Sequence, residues 1–187
     1  TKDAIVIGSE VVSQLQNIIS RRIDPLKTAV ITVGIFEAGT SFNVIAEEAK
    51  LTGTVRYLDS DVQQVVREEM ERVVKGICEA NGADYELDYF VGYPPLVNHE
   101  AETEVVFEAA SKVKEIKEAV EVNPQMGGED FAYYVQEKPG AFFFTGAQKE
   151  TDNYPHHHPK FDFDERAMPI AAKMLISAYF TYQEKKQ

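Results

Sequence analysis

The chain has 187 residues, 44% of them hydrophobic and 27% charged, which is ordinary for a globular protein and enough for a sizeable core. Its 31 acidic residues against 19 basic ones give a net charge of −12, and the acidity is spread along helical segments; this disfavours nucleic-acid binding, which needs clustered Lys and Arg. The single cysteine, Cys78, permits no internal disulfide, which fits a reducing compartment and a cytoplasmic location, and no run approaches the ~18 apolar residues of a membrane span.

The first element is a helix. Ala4, Ile5, Ile7, Val11, Val12, Leu15, Ile18 and Ile19 recur at spacings of three and four, with Asp3 placed to cap it and Asp24-Pro25 to break it. Ala29 to Ile35 is β-branched and alternating, as a strand requires. Ala49 to Tyr57 is a second strand, with Leu51, Gly53, Val55 and Tyr57 on one face and Thr52, Thr54 and Arg56 on the other. Ser60-Asp61-Val62-Gln63 has the form of a capping box and opens a long helix. The apolar face of that helix is Val62, Val66, Met70, Val73, Val74 and Ile77, and Asn81-Gly82 ends it. Cys78 sits within this pattern and reads as a small buried apolar residue. Tyr85 to Val91 is expected to be a third strand.

The order helix-strand-strand-helix-strand is that of a ferredoxin-like βαββαβ unit without its first strand. That strand is central in the sheet, so its neighbour is expected to lack a partner on one side. Tyr93-Pro94-Pro95 then marks a boundary. Beyond it come a helix from about Glu100 to Lys117, a short strand at Val120 to Val122, the turn Met126-Gly127-Gly128-Glu129-Asp130-Phe131, a short helix to about Gln136, and a strand at Ala141 to Thr145. The last helix is expected from about Glu165 to Gln183, with Ile170, Met174, Leu175 and Ala178 inward and Pro169 in its first turn.

Three groups of residues carry chemistry. Three of the four histidines are adjacent, in His156-His157-His158-Pro159-Lys160-Phe161. Neutral imidazole is the commonest ligand of zinc-class metals, but adjacent side chains cannot all point the same way, so one true ligand is expected. Solvated loop histidines are the competing reading. The glycines of Met126-Gly127-Gly128-Glu129-Asp130-Phe131 let a backbone approach a ligand closely, and the two carboxylates beside them suit acid-base work; a helix-opening turn is the plainer alternative. Arg56 is suited to hold a carboxylate through paired hydrogen bonds, and Asn43 lies at the entry to the strand that carries it. Neither a nucleophile elbow nor a phosphate loop is present.

In order and spacing, Ala38-Gly39-Thr40-Ser41-Phe42-Asn43-Val44-Ile45, Gly53-Thr54-Val55-Arg56, Met126-Gly127-Gly128-Glu129-Asp130-Phe131 and His157-His158-Pro159-Lys160-Phe161 resemble the C-terminal half of the M20 metallopeptidases, in the amidohydrolase branch that hydrolyses hippurate and other N-acyl amino acids. The resemblance implies an α/β fold. Residues 1–92 would be an incomplete lid and dimerisation domain of ferredoxin-like topology, and residues 93–187 the C-terminal portion of an αβα catalytic domain. It implies a homodimer formed through the lid and a pair of divalent metals, manganese, zinc, cobalt or nickel. The substrate would be an N-acyl amino acid or a peptide, cleaved beside a free carboxylate. His157 would bind metal, with His156 and His158 as neighbours. Asn43, Arg56, Gly127 and Gly128 would bind substrate, and Glu129 would lie near the metals. The family's other metal ligands and its general base have no match in these 187 residues, so this chain alone is expected to be inactive and to need an N-terminal segment of the same protein. A dimerisation module, a pseudoenzyme and a carboxypeptidase of the same family are the alternatives. Ala46 stands where the family usually has proline, which loosens the turn without removing a functional group.

Overall fold

A computed structural model describes residues 1–186. They form two compact units. The first comprises Thr1–Pro95 with Pro124–Gly128, and the second Leu96–Asn123 with Glu129–Gln187.

In the first unit, helix α1 (Ala4–Arg21) is capped by Asp3, whose carboxylate accepts hydrogen bonds from the amides of Ile5 (3.0 Å) and Val6 (3.4 Å). Strands β1 (Ala29–Ala38) and β2 (Ala49–Tyr57) pair antiparallel, from Ala29 opposite Tyr57 to Ala38 opposite Ala49. β1 therefore runs three residues beyond the expected Ile35. The register shifts between Val33 and Ile35, so Gly34 is the extra residue of a β-bulge. At Gly53 the strands approach so closely that a Cβ would lie 2.3 Å from the carbonyl oxygen of Thr32. Helix α2 (Ser60–Asn81) closes the layer, ending where Gly82 adopts the left-handed conformation (φ 62°). Its N-cap is Asp59, in extended backbone, rather than Ser60, and no side-chain cap bond forms. The capping box is not made; Asp61 pairs instead with the Lys27 ammonium.

One face of the hairpin and the inner faces of both helices make the core of this unit: Ile7, Val11, Leu15, Ile18, Ala29, Ile31, Val62, Val66, Val74, Ile77 and Cys78. Each fully buried aliphatic side chain here contributes about 1.5–3 kcal/mol. Burial pushes the Cys78 thiol up, which keeps it protonated and unreactive.

The second unit holds α3 (Glu100–Ser111), α4 (Phe131–Glu137) and α5 (Ala167–Lys185). Helices α3 and α5 pack through Ala109, Ala110, Val113 and Met174, and the Ser177 hydroxyl donates to the carbonyl of Ala109 (2.9 Å). α3 stops at Ser111, short of the expected Lys117. The amides of Lys112, Val113 and Ile116 reach back only three residues, a tightening that turns Val113 and Ile116 onto the cluster. In α5, Met174 is buried and Pro169 lies in the first turn, but Leu175 is 61% exposed, contrary to its expected inward placement. It shares an exposed apolar stripe with Ile176, Tyr179 and Phe180.

Three expected strands do not form. Among the described residues the sheet has two strands, and residues 85–91, 120–122 and 141–145 join no ladder. In a ferredoxin-like sheet the last strand pairs with the first, and the first is not among these residues. Tyr85 and Tyr89 instead meet α2, through the Glu71 carboxylate (2.6 Å) and the Arg67 guanidinium. At 140–142 a single backbone bond, from the His99 amide to the carbonyl of Gly140 (3.1 Å), is supplemented by side chains. The Asn98 amide donates to the carbonyl of Phe142 and accepts from its amide, both at 2.8 Å, and His99 Nδ1 accepts from the amide of Gly140 (3.2 Å).

Candidate functional site

In the first unit β2 carries Arg56 on the face turned away from the helices, opposite Val30. Its guanidinium donates to the carbonyl of Met126 (3.2 Å), in the short segment 124–128 that belongs to this unit. A Cβ on Gly128 would stand 3.5 Å from Arg56 Nη1 and 3.3 Å from the Tyr93 ring. Arg56, Gly127 and Gly128 are thus brought together: an anchored cation beside a backbone without side chains. Tyr93 completes this cluster and was missed by sequence reasoning. Its one signal was its place before Pro94-Pro95.

Asn43 is not part of that cluster. It lies in the loop joining β1 to β2, where its side-chain oxygen accepts from the Ser41 hydroxyl (2.8 Å) and its amide nitrogen has no partner among the described residues. The loop is tied to the start of α1 by the Ala4 amide on the carbonyl of Ala46 (3.2 Å). From Ala49 to Arg56 is seven residues of strand, roughly 23 Å. Asn43 and Arg56 therefore sit toward opposite ends of the hairpin.

In the second unit Glu129 is half-buried, and its carboxylate accepts from the amide of Phe131 (3.3 Å) at the start of α4. The helix-opening role is thereby filled, and among the described residues the other carboxylate oxygen has no partner.

The three histidines are not equivalent. His158 stacks on Tyr154 with ring centroids 4.5 Å apart and planes 10° apart, and its Nδ1 accepts from the amide of Lys160 (3.1 Å). His156 leans on Phe161 at 4.8 Å. His157 between them is exposed and adopts φ +68°, the conformation that the third position of a type II turn demands; the turn closes from the His158 amide to the carbonyl of Pro155 (3.1 Å). Among the described residues the His157 imidazole has no hydrogen bond, ion pair or ring contact.

A free, exposed imidazole fits a divalent metal as one ligand. Among the described residues no three His, Cys, Asp or Glu side chains converge on a point, whereas a catalytic zinc-type ion needs about three protein ligands. The donor fits, and the donor set within this chain is incomplete.

The model of the peptidase family M20/M25/M40 matches residues 4–180. The chain belongs to this family. It is 50% identical over 186 residues to the Bacillus subtilis protein YhaA, described as an amidohydrolase, covering 98% of this chain and 47% of that protein. It is 37% identical over 185 residues to the N-acetyldiaminopimelate deacetylase of Brevibacillus brevis, covering 99% and 48%. The crystal structure of the YxeP protein of Bacillus subtilis, a dinuclear metal-binding peptidase of family M20, superposes with a TM-score of 0.72 at 32% identity, over 95% of this chain and 45% of that one. The chain thus spans about half the length of the curated relatives it matches. The α/β class expected from the sequence holds.

Proposed function

We propose that these residues are the lid and the C-terminal catalytic portion of a two-metal amidohydrolase that removes the acyl group from an N-acyl amino acid. Residues 1–92 act as the lid and 93–187 as part of the catalytic domain, with the 124–128 segment reaching back to the lid. The observation that carries the reading is the anchored Arg56 guanidinium beside Gly127-Gly128, which suits a free carboxylate next to the scissile amide. Asn43, whose amide nitrogen has no partner among the described residues, holds a second polar group of a substrate. His157 supplies one metal ligand; Glu129, with one carboxylate oxygen unpartnered among the described residues, lies close to the metals. The remaining ligands and the general base come from an N-terminal segment of the same protein. When bound, the metal pair (manganese, zinc, cobalt or nickel) polarises the carbonyl and lowers the pKa of water. The protein works as a homodimer through the lid, in the cytoplasm, where an unpaired buried Cys78 is at home.

The test uses the complete protein and pairs of substrates that differ only at the carboxyl group. N-acyl amino acids should be hydrolysed about 10–100-fold faster, in kcat/KM, than their carboxamides, the value of one charged hydrogen-bonded contact. Arg56→Ala should erase that difference. Equal rates on both substrates by the unaltered protein would sink the reading.

A further inference from the structure

The run of three histidines poses a selection problem that its local geometry answers. Adjacent imidazoles compete for the same ion, so a defined site needs the competing neighbour turned aside. His158 is withdrawn by three contacts: the parallel stack on Tyr154, the Lys160 amide on its Nδ1, and the turn from Pro155 that begins at its own amide. His156 leans on the Phe161 ring, and the Phe161 amide in turn donates to the carbonyl of His158 (2.9 Å). Between these two rings the backbone turns with His157 in the left-handed region. That conformation costs an L-residue about 1–2 kcal/mol, so something nearby must enforce it.

We propose that Tyr154 is a positioning residue for metal binding: by stacking on His158 it turns that imidazole aside and sets the turn that presents His157 to the metal. This rests on the reading of His157 as a ligand. Tyr154 touches neither metal nor substrate. Its ring face supplies the contact, and the Lys160 ammonium lies over the same ring at 5.9 Å. The hydroxyl plays no part in the stack. Partners that orient a ligand without touching the ion typically change metal affinity by about 10–100-fold when removed.

The experiment measures zinc affinity and stoichiometry on the complete, demetallated protein, by competition with a chromophoric chelator, for the unaltered protein and for Tyr154→Phe, Tyr154→Ala and His157→Ala. Tyr154→Phe keeps the stack and should bind within about twofold of the unaltered protein, whereas Tyr154→Ala should bind the affected ion about 10–100-fold more weakly. Thermal unfolding of the metal-free forms separates this from a folding defect, because Tyr154→Ala should leave the metal-free melting temperature within a few degrees. Undiminished affinity in Tyr154→Ala, with His157→Ala impaired, would overturn the positioning role and spare the ligand. Undiminished affinity in His157→Ala would overturn both. Equal weakening in Tyr154→Phe and Tyr154→Ala would assign the effect to the hydroxyl and overturn the stack.

Discussion

His157 is an L-residue at φ +68° with an exposed imidazole that makes no hydrogen bond, ion pair or ring contact among the described residues, so replacing it chiefly reads the backbone term. The left-handed conformation costs about 1–2 kcal/mol for a residue with a Cβ and almost nothing for glycine. Glycine loses more freedom on folding, which returns about 0.5–1 kcal/mol of that gain. His157→Gly should therefore stabilise by about 0.5–1 kcal/mol, a rise of about 1–4 °C in Tm for a chain of this size. His157→Ala keeps both the Cβ and the φ and should move Tm by less than about 1 °C. Differential scanning calorimetry on the metal-free protein reads both. Equal shifts for Gly and Ala, or a fall with Gly, would refute the reasoning. In the complete enzyme the same glycine should abolish metal-dependent hydrolysis while it raises stability.

Gly53→Ala would drive a Cβ against the backbone carbonyl of Thr32, which cannot rotate away, and should cost about 1–3 kcal/mol in urea unfolding, more than an alanine at exposed Gly76. Ile18, 1% exposed in the first core, should cost about 2–5 kcal/mol on truncation to alanine, checked by the same titration. Asp164 is held down to about 2 from 3.8 by the Arg166 guanidinium and backbone amide. Its folded pKa is below its unfolded one, so its contribution to stability is present above about pH 4 and is lost as pH falls towards 2. A carboxyl NMR titration should find that midpoint, and Arg166→Ala should move it back towards the ordinary aspartate value. This 187-residue chain by itself should show no amidase activity with any divalent metal; turnover that disappears with His157→Ala would contradict the incomplete donor set.

Local signals read well where one short-range interaction decides. Asp3 capped α1, Gly82 ended α2, and the alternation in 49–57 assigned the faces of β2, because each depends on neighbours within four residues. The failures have a common physical origin. Residues 85–91 and 141–145 have strand composition, but a strand exists only when another backbone pairs with it, and composition cannot supply the partner. Leu175 was placed inward by its spacing, yet burial depends on what packs against that side of α5. In the candidate site, Arg56 and Gly127-Gly128 were singled out separately by residue type and grouped as substrate-binding only through the family resemblance; their contact through Met126 and Gly128 is seen only in the fold. The separation of Asn43 from Arg56 follows from hairpin length, and the unequal environments of the three histidines depend on ring contacts with Tyr154 and Phe161, which no spacing encodes.

The bulge at Gly34 makes β1 asymmetric towards changes in length. Before it, Ile31 and Val33 face the helices; after it, Phe36 and Ala38 do, with the Phe36 ring over Gly8. Removing Gly34 would restore an unbroken ladder and leave every side chain on its present face. Removing Ile35 would have the same result, because Gly34 would then take its place in the ladder opposite Thr52. Loss of one residue is therefore permitted at the bulge, and descendants of this sequence can shorten the strand there without rewriting the hairpin.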